Sequence, residues 1–159
     1  MVDVFTKQKR SEVMSRIRGR DTKPELIVRS ALHRLGYRFR LFQKHLPGRP
    51  DVVLPKYRAA VFVHGCFWHR HADCQFAYTP KSRRRFWLEK FEGNVARDER
   101  ARIQLTEMGW AVITVWECQT KDIERLEGLL RRRLRARSGP PTPPGAGRRS
   151  VAKAISAVK

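Results

Sequence analysis

Two cysteines and three histidines fall within residues 61–74, which read V-F-V-H-G-C-F-W-H-R-H-A-D-C. Thiolate and imidazole groups at such close spacing are the ligands that a tetrahedral zinc ion takes. Cys66 and Cys74 with one histidine would supply three ligands, and Cys118, which follows a strand-like run at 111–116, is the candidate for the fourth. The alternative is that the three cysteines are small buried apolar residues. The density of histidines favours a metal site.

An acidic residue precedes this segment in a strongly basic chain. The sequence has 35 lysines and arginines against 15 aspartates and glutamates, and Asp51 begins a strand-like run. A nuclease needs a carboxylate to hold Mg²⁺ against the scissile phosphate. A single aspartate at a strand edge is more often a turn residue, but the hairpin predicted below brings His64 beside it. His64 and His69, where they do not bind zinc, can act as general acid or base near neutral pH.

Length and charge define the class of partner. The 159 residues fit one domain, and the formal net charge of +20 indicates a polyanion. Nucleic acid fits better than a membrane surface, because no apolar run is long enough to cross a bilayer. The N-terminus lacks the apolar segment of a signal peptide, and the cysteine count is odd, so we expect reduced cysteines and a cytoplasmic protein.

The elements before the hairpin are a helix and a strand. T-K-P-E at 22–25 is a capping box, and apolar residues at helical spacing follow it until Gly36, which predicts a helix at 23–35. Residues 37–42 alternate apolar side chains with arginine, which predicts a half-exposed strand.

The segments 51–54 and 58–64 are predicted to form an antiparallel hairpin, with the turn at Pro55-Lys56-Tyr57. The second strand is apolar almost throughout and should lie in the centre of the sheet. With a turn of three residues, Asp51 would lie opposite Val61. Its side chain would then share a face with Val61 and Val63, while Phe62 and His64 point to the other face.

The remaining pattern predicts a long helix at 81–108, a strand at 111–116 and a leucine-striped helix at 122–137. We therefore divide the chain into a basic N-terminal arm (1–20), a domain (21–137) and a disordered basic tail (138–159), which has a Pro/Gly-rich composition.

Aromatic residues are interleaved with these polar groups. Phe67 and Trp68 lie between the metal ligands, and Phe86 and Trp87 follow the basic run at 81–85. Aromatic side chains on a rigid loop of a basic protein can stack on bases or wedge between them. The alternative is that they pack over the metal site.

Several motifs resemble one family. L-P-G-R-P-D, V-F-V-H-G-C-F-W-H-R-H, F-W-x-x-K, N-V-x-R-D and V-W-E-C occur in that order between residues 14 and 118. They are similar to the motifs of the very-short-patch repair (Vsr) DNA mismatch endonucleases. The resemblance implies an α/β fold like that of the type II restriction endonucleases, with a mixed central sheet flanked by helices and a structural zinc site. It also implies a bacterial, cytoplasmic, nucleoid-associated monomer that nicks double-stranded DNA 5′ to the thymine of a T·G mismatch left by deamination of 5-methylcytosine. A mismatch-repair protein is a further expected partner.

The resemblance also implies roles for individual residues. Asp51 and the backbone carbonyl of Val63 would hold Mg²⁺. His69, oriented by Asp98, would be the acid/base residue, with His64 as a second catalytic histidine. The implied zinc ligands are Cys66, His71, Cys74 and Cys118, and the implied DNA wedge is Phe67, Trp68 and Trp87.

Two other functions use the same features. One is a restriction-type nuclease that recognises an intact duplex site, and the other is a zinc-stapled DNA-binding protein without catalysis. Asp51, His64 and His69 would serve no purpose in a pure binding protein, so the sequence favours an enzyme.

Overall fold

The computed structural model describes residues 6–16 and 19–136, in which helices flank one mixed sheet. The helices are α1 (Lys7–Arg16), α2 (Lys23–Arg34), α3 (Arg84–Glu107) and α4 (Ile123–Arg135), and the strands are β1 (Val52–Leu54), β2 (Ala59–His64) and β3 (Ala111–Trp116). The mixed α/β architecture is therefore confirmed. The predicted tail 138–159, and residues 1–5 and 17–18 of the predicted arm, lie outside the described residues.

The sheet separates two apolar layers. In the strand order β1-β2-β3, β2 pairs antiparallel with β1 and parallel with β3, so β2 is central as predicted. On one face α2 and α4 bury Leu32 and Leu130 against Val61. On the other face α3 buries Leu105 against Phe62. Because the apolar side chains of α2 and α4 repeat at helical spacing, each helix buries one stripe on the sheet.

The start of α2 confirms the predicted capping box, with one difference. The Thr22 hydroxyl accepts a hydrogen bond from the Glu25 N–H at 3.5 Å. The Glu25 carboxylate accepts from the N–H of Asp21 at 2.9 Å, one residue before the position that a standard capping box uses. Glu25 is thereby held against the start of its own helix.

The predicted hairpin forms, but its predicted register is wrong by one residue. Val52 pairs with Val61, so the strands extend the pairing to Asp51 and Phe62 rather than to Asp51 and Val61. The cause is Arg58, which adopts a left-handed conformation (φ +44°) and belongs to the turn. Because strand side chains alternate, a one-residue shift moves Asp51 to the face that carries Phe62 and His64.

The predicted strand at 37–42 is reduced to a single bridge between Arg40 and Val53. The Arg40 N–H donates to the Val53 carbonyl at 2.8 Å, and the Val53 N–H donates back at 2.9 Å. Pairing stops there because Phe42 adopts φ +55°, which turns the chain away from the sheet.

The late elements agree with the sequence apart from their ends. Helix α3 begins at Arg84 rather than at 81, and α4 begins at Ile123 with Asp122 as its N-cap. The Asp122 carboxylate accepts from the Arg125 N–H at 3.0 Å. No helix within 6–16 and 19–136 combines the length and apolar character needed to cross a membrane.

Candidate metal centre and active site

The sheet brings together cysteines that are far apart in sequence. Strands β2 and β3 are parallel, and His64 lies level with Trp116 at their carboxyl ends. Two residues beyond each end, the chain reaches Cys66 and Cys118. Parallel strands that end at the same level deliver both thiols to one edge of the sheet, and the loop after β2 adds His71 and Cys74.

The four side chains fit a tetrahedral metal ion. Ligand atoms of Cys66, His71, Cys74 and Cys118 all lie within 4.8 Å of one another. His71 Nδ1 is 3.6 Å from the Cys66 sulfur and 3.4 Å from the Cys118 sulfur. Zn–S and Zn–N bonds of about 2.3 and 2.0 Å at the tetrahedral angle would separate the two ligand atoms by about 3.5 Å. These two distances therefore suit coordination of zinc.

The environment of the thiols disfavours their ionised form in the absence of a cation. Burial raises the pKa of Cys66 to about 12 and also raises the pKa of Cys118. Protonated thiols do not stabilise one another by lying close together. A bound Zn²⁺ would deprotonate them and bind the resulting thiolates. The His71 ring also stacks on Trp116, with centroids 4.3 Å apart, which fixes the ring plane.

A cavity of about 830 Å³ lies beside this centre, and Asp51, Val63, His64, His69 and Asp98 all line it. The L-P-G-R-P-D segment delivers Asp51 to it. Gly48 has φ +71°, and a Cβ there would come within 2.5 Å of the Ala101 Cβ. Only glycine lets this loop pack so closely on α3 before the chain enters β1.

Asp51 is a buried carboxylate with an elevated pKa. Its Oδ2 accepts a hydrogen bond from the Val63 N–H at 2.7 Å. Burial raises the pKa of Asp51 from 3.8 to about 6, and the negative charge of Glu25 adds to the increase. The Val63 hydrogen bond, Arg29 and His69 act in the opposite direction but do not cancel it.

Glu25 is a functional candidate that the sequence did not reveal. It lines the same cavity as Asp51 and is only 5% exposed. Its carboxylate also accepts from the Thr22 hydroxyl at 2.8 Å and from Arg29 at 3.2 Å. In the sequence, the capping box already explained why a glutamate stands three residues after Thr22. Only the tertiary packing of α2 on the sheet brings it towards Asp51.

Two histidines and Asp98 form a compact group that lines the same cavity. His69 Nδ1 lies 2.5 Å from Asp98 Oδ2, and His64 Nε2 lies 3.9 Å from Asp98 Oδ1. The two imidazole rings stack at 3.9 Å with an interplanar angle of 8°. Burial, together with His69, lowers the pKa of His64 to about 4, against the opposing effect of Asp98. His64 is therefore neutral near pH 7.

The aromatic residues of the loop form one cluster with α3. The Phe67 ring has four aromatic neighbours with centroids 5.1–5.5 Å away: Trp68, Tyr78, Trp87 and Phe91. Phe91 is buried, whereas Phe67, Trp68 and Trp87 are only partly buried. The buried Asn94 donates to the Trp68 carbonyl at 2.9 Å and ties the loop to α3. The cluster thus has a packed base and an accessible edge beside the cavity.

Comparison with known proteins gives consistent similarities. The family described as DNA mismatch endonuclease Vsr matches residues 2–75. The chain is 47% identical over 131 residues to the type II nicking enzyme V.XorIIP of Xanthomonas oryzae pv. oryzae, covering 82% of this chain and 96% of that protein. It is 46% identical over 135 residues to the type II nicking enzyme V.NmeAIP of Neisseria meningitidis, with 82% and 96% covered.

The Escherichia coli protein DNA mismatch endonuclease Vsr is 46% identical to this chain over 126 residues, which cover 79% of this chain and 80% of that protein. All three relatives are bacterial, and their names describe either nicking of DNA or action on mismatched DNA.

Proposed function

The chain belongs to the Vsr family of DNA mismatch endonucleases and is a DNA nicking endonuclease, and we propose that it acts on T·G mismatches. Specifically, it nicks double-stranded DNA on the 5′ side of the mismatched thymine in a Mg²⁺-dependent reaction. The mismatches would arise by deamination of 5-methylcytosine, and the nick would initiate very short patch repair. The protein would act as a monomer on a single T·G duplex.

One observation carries this proposal: the cavity combines carboxylates, a histidine–carboxylate pair and an aromatic edge. Asp51 and Glu25 line this cavity together with His69 and Asp98, which contact each other. Trp68 lines the same cavity. Hydrolysis of a phosphodiester next to a disturbed base pair needs these three kinds of group close together.

The residues around Asp51 fit a hard divalent cation. A buried carboxylate whose pKa is raised by burial and by Glu25 is stabilised when a cation neutralises the pair. Asp51 would hold Mg²⁺ together with the Val63 carbonyl, which points to the same side of β2 as the Val63 N–H that contacts Asp51. A bound Mg²⁺ supplies a charge that lowers the pKa of water and stabilises negative charge on phosphate oxygens.

The histidines would handle the protons. His69 would exchange a proton with the attacking water or the leaving group, and the Asp98 carboxylate would hold its ring in one orientation. His64, stacked on His69 and neutral near pH 7, would limit the directions in which that ring can move.

The zinc centre and the sheet would form the scaffold. A structural Zn²⁺ on Cys66, His71, Cys74 and Cys118 would hold the loop that carries His69 and Trp68. We assign the catalytic domain to residues 21–137, with a restriction-endonuclease-like arrangement of the sheet. The arm 1–20 and the tail 138–159 would be additions to this domain.

The accessible edge of the aromatic cluster would open the mismatched step. A T·G pair stacks and pairs less stably than a matched pair, so separating its neighbours costs less. Phe67, Trp68 and Trp87 would act as the wedge. Phe67 and Trp87 pack on the buried Phe91, and Trp68 packs on both of them, which keeps the three rings rigid.

The second candidate function is nicking of an intact duplex site, because V.XorIIP and V.NmeAIP are named as type II nicking enzymes without mention of a mismatch. The deciding experiment uses two duplex libraries with the same randomised flanks, one with a central T·G pair and one with a T·A pair. Each library is incubated with and without Mg²⁺, and nicked strands are sequenced. Asp51→Asn protein is the control for contaminating nucleases.

Nicks immediately 5′ to the thymine in the T·G library alone, and only with Mg²⁺, are the expected result. Equal nicking of the T·A library would replace the proposal by the intact-site function. Nicking that persists after removal of divalent cations would refute the assignment of Mg²⁺ to Asp51.

A further inference from the structure

The last turns of α4 carry a dense group of positive charges. Arg131, Arg132, Arg133 and Arg135 are four arginines within five residues, and all four are exposed. We call them the α4 basic end. Leu130 and Leu134 are fully buried against the sheet. Helical spacing therefore places Arg131, Arg132 and Arg135 on the outer side of the helix, with Arg133 at its flank.

The arginines of the α4 basic end have no carboxylate beside them, unlike several other helical arginines. Arg85 lies 2.9 Å from Glu89 and Arg102 lies 2.6 Å from Glu99 on α3, and Arg125 at the start of α4 lies 3.4 Å from Asp122. Within 6–16 and 19–136, no acidic side chain pairs with the α4 basic end. The sequence beyond it, 137–159, contains five more lysines and arginines and no aspartate or glutamate.

Helix electrostatics do not account for this concentration. Cations near a helix C-terminus interact favourably with the helix dipole, and one or two would suffice. Further like charges repel one another, and Arg131 and Arg135, at i and i+4, lower the stability of the helix. An unpaired cluster of arginines favours an external polyanion, since the planar guanidinium group matches phosphate oxygens.

The α4 basic end lies away from the active-site cavity. Helix α4 packs on the face of the sheet opposite to α3, and the cavity includes Phe62 and Asp98 on the α3 side. Glu127 pairs with Arg34 at 3.0 Å, at the end of α2 that is remote from Glu25. Residues 25 and 34 of one helix are separated by about 14 Å along its axis. This ion pair of α4 is therefore remote from the part of the cavity that Glu25 lines.

We propose that the α4 basic end is a second DNA-binding surface, which holds a duplex segment other than the one in the active site. The segment would be bound through its phosphates without reading sequence, because the α4 basic end offers only arginines. The consequence is that one protein molecule can contact two duplexes, or two distant parts of one long duplex.

The test counts duplexes bound per protein molecule. Matched duplexes of about 20 base pairs, too short to wrap around the protein, are supplied in excess at about 50 mM salt, and native mass spectrometry or sedimentation gives the stoichiometry. Wild-type protein should bind two. A variant with Arg131, Arg132, Arg133 and Arg135 changed to Gln should bind one, with at least a tenfold loss of affinity for the second.

The chain offers a matched control, because 81–85 also carries four cations in five residues. Changing Lys81, Arg83, Arg84 and Arg85 to Gln removes the same charge from the other side of the sheet. This variant should still bind a duplex at the α4 basic end. Thermal melting and zinc content show whether each variant is folded, and glutamine is compatible with both helices.

The proposal would be overturned if wild-type protein binds one duplex or if the α4 variant still binds two. It would also be overturned if both variants lose the second duplex equally. A fourth contrary outcome is displacement of the second duplex by a polyglutamate peptide at equal charge concentration. The last outcome would assign the α4 basic end to an acidic protein surface. Since the duplexes are matched and only binding is measured, the result is independent of the proposed mismatch specificity.

Discussion

Burial and the nearby charge of Glu25 disfavour the ionised carboxylate of Asp51 when no cation is bound. Its folded pKa of about 6 lies above its ordinary value of 3.8, so the folded state binds the proton more tightly than the unfolded state. The metal-free protein should therefore lose stability as the pH rises from about 4 to about 6 on account of this group. The shift corresponds to at most about 3 kcal/mol.

Asp51→Asn should consequently stabilise the metal-free protein at pH 7.5 while abolishing nicking. The amide keeps an acceptor for the Val63 N–H but carries no charge. Urea unfolding in the absence of divalent cations measures the gain, which we expect to be up to about 3 kcal/mol at pH 7.5 and close to zero below pH 4. A variant that nicks at more than a few per cent of the wild-type rate would remove Asp51 from its assigned role.

At the scale of residues, a functional role could be predicted from the sequence where a side chain has few alternative structural roles. Cysteines and histidines crowded into 61–74 indicated a metal site, and the structure brings four of the named residues together. Glu25 was missed because a helix cap explains its position equally well in the sequence. Its approach to Asp51 depends on how α2 packs, which no local pattern encodes.

Among the elements, the parallel strands β2 and β3 both end beside the cluster of Cys66, His71, Cys74 and Cys118. Cys118→Ser should release zinc and lower the stability of the protein, since a structural zinc contributes directly to the free energy of folding. Loss of one ligand should weaken zinc binding by on the order of a hundredfold or more, because even outer-shell partners are worth 10–100-fold. Metal analysis after dialysis against a weak chelator measures the occupancy.

Asp122→Ala is the matched control for Cys118→Ser. It removes the N-cap of α4, four residues away, and should cost about 1 kcal/mol while zinc stays bound. A well-folded Cys118→Ser protein with a full equivalent of zinc would exclude Cys118 from the site.

The loop after β2 carries the proposed wedge, and Trp68 is its best test. Base stacking on an aromatic side chain is worth about 1–3 kcal/mol, so Trp68→Ala should weaken T·G duplex binding by up to about a hundredfold. Matched duplex should be affected less. The backbone contact from Asn94 survives the change.

The measurement for Trp68→Ala is the ratio of affinities for T·G and matched duplexes, in zinc-replete protein. Phe76→Ala is the control, since Phe76 is an exposed aromatic residue that contacts Lys121 rather than the cluster. An unchanged ratio in Trp68→Ala would assign Trp68 to packing and leave the wedge to Phe67 and Trp87.

Elements with a strong local pattern and the pairing of the hairpin strands were predictable, whereas the register of that pairing and the extent of the strand at 37–42 were not. The capping box of α2 and the leucine stripe of α4 identified both helices within one or two residues of their ends. The register of the hairpin failed because Arg58 joins the turn, where its guanidinium donates to the Met108 carbonyl at 2.8 Å. The strand expected at 37–42 failed because Phe42 turns the chain after one bridge. Both causes are long-range contacts or backbone conformations that alternation in the sequence does not show.

For the whole molecule, the net charge of +20 predicts that affinity for unmismatched DNA falls steeply with salt. Each lysine or arginine that contacts a phosphate releases counterions, and the logarithm of the binding constant then falls by about 0.9 per contact for each tenfold increase in salt. The charge is spread over the arm, the start of α3, the α4 basic end and the tail. Their contributions can therefore be separated by removing one region at a time.

Truncation after Arg137 is the cleanest such removal. It takes away four lysines and arginines, at 148, 149, 153 and 159, and none of the motifs that form the two candidate sites. The slope of the logarithm of the binding constant against the logarithm of salt concentration should decrease by no more than about 3.6, and affinity for matched duplex should fall slightly. Single-turnover nicking at saturating T·G duplex should stay within about twofold of the full chain, because the cavity, the zinc ligands and the aromatic cluster all lie before residue 119. Loss of nicking under saturating conditions would show that the tail takes part in the reaction rather than only in non-specific binding.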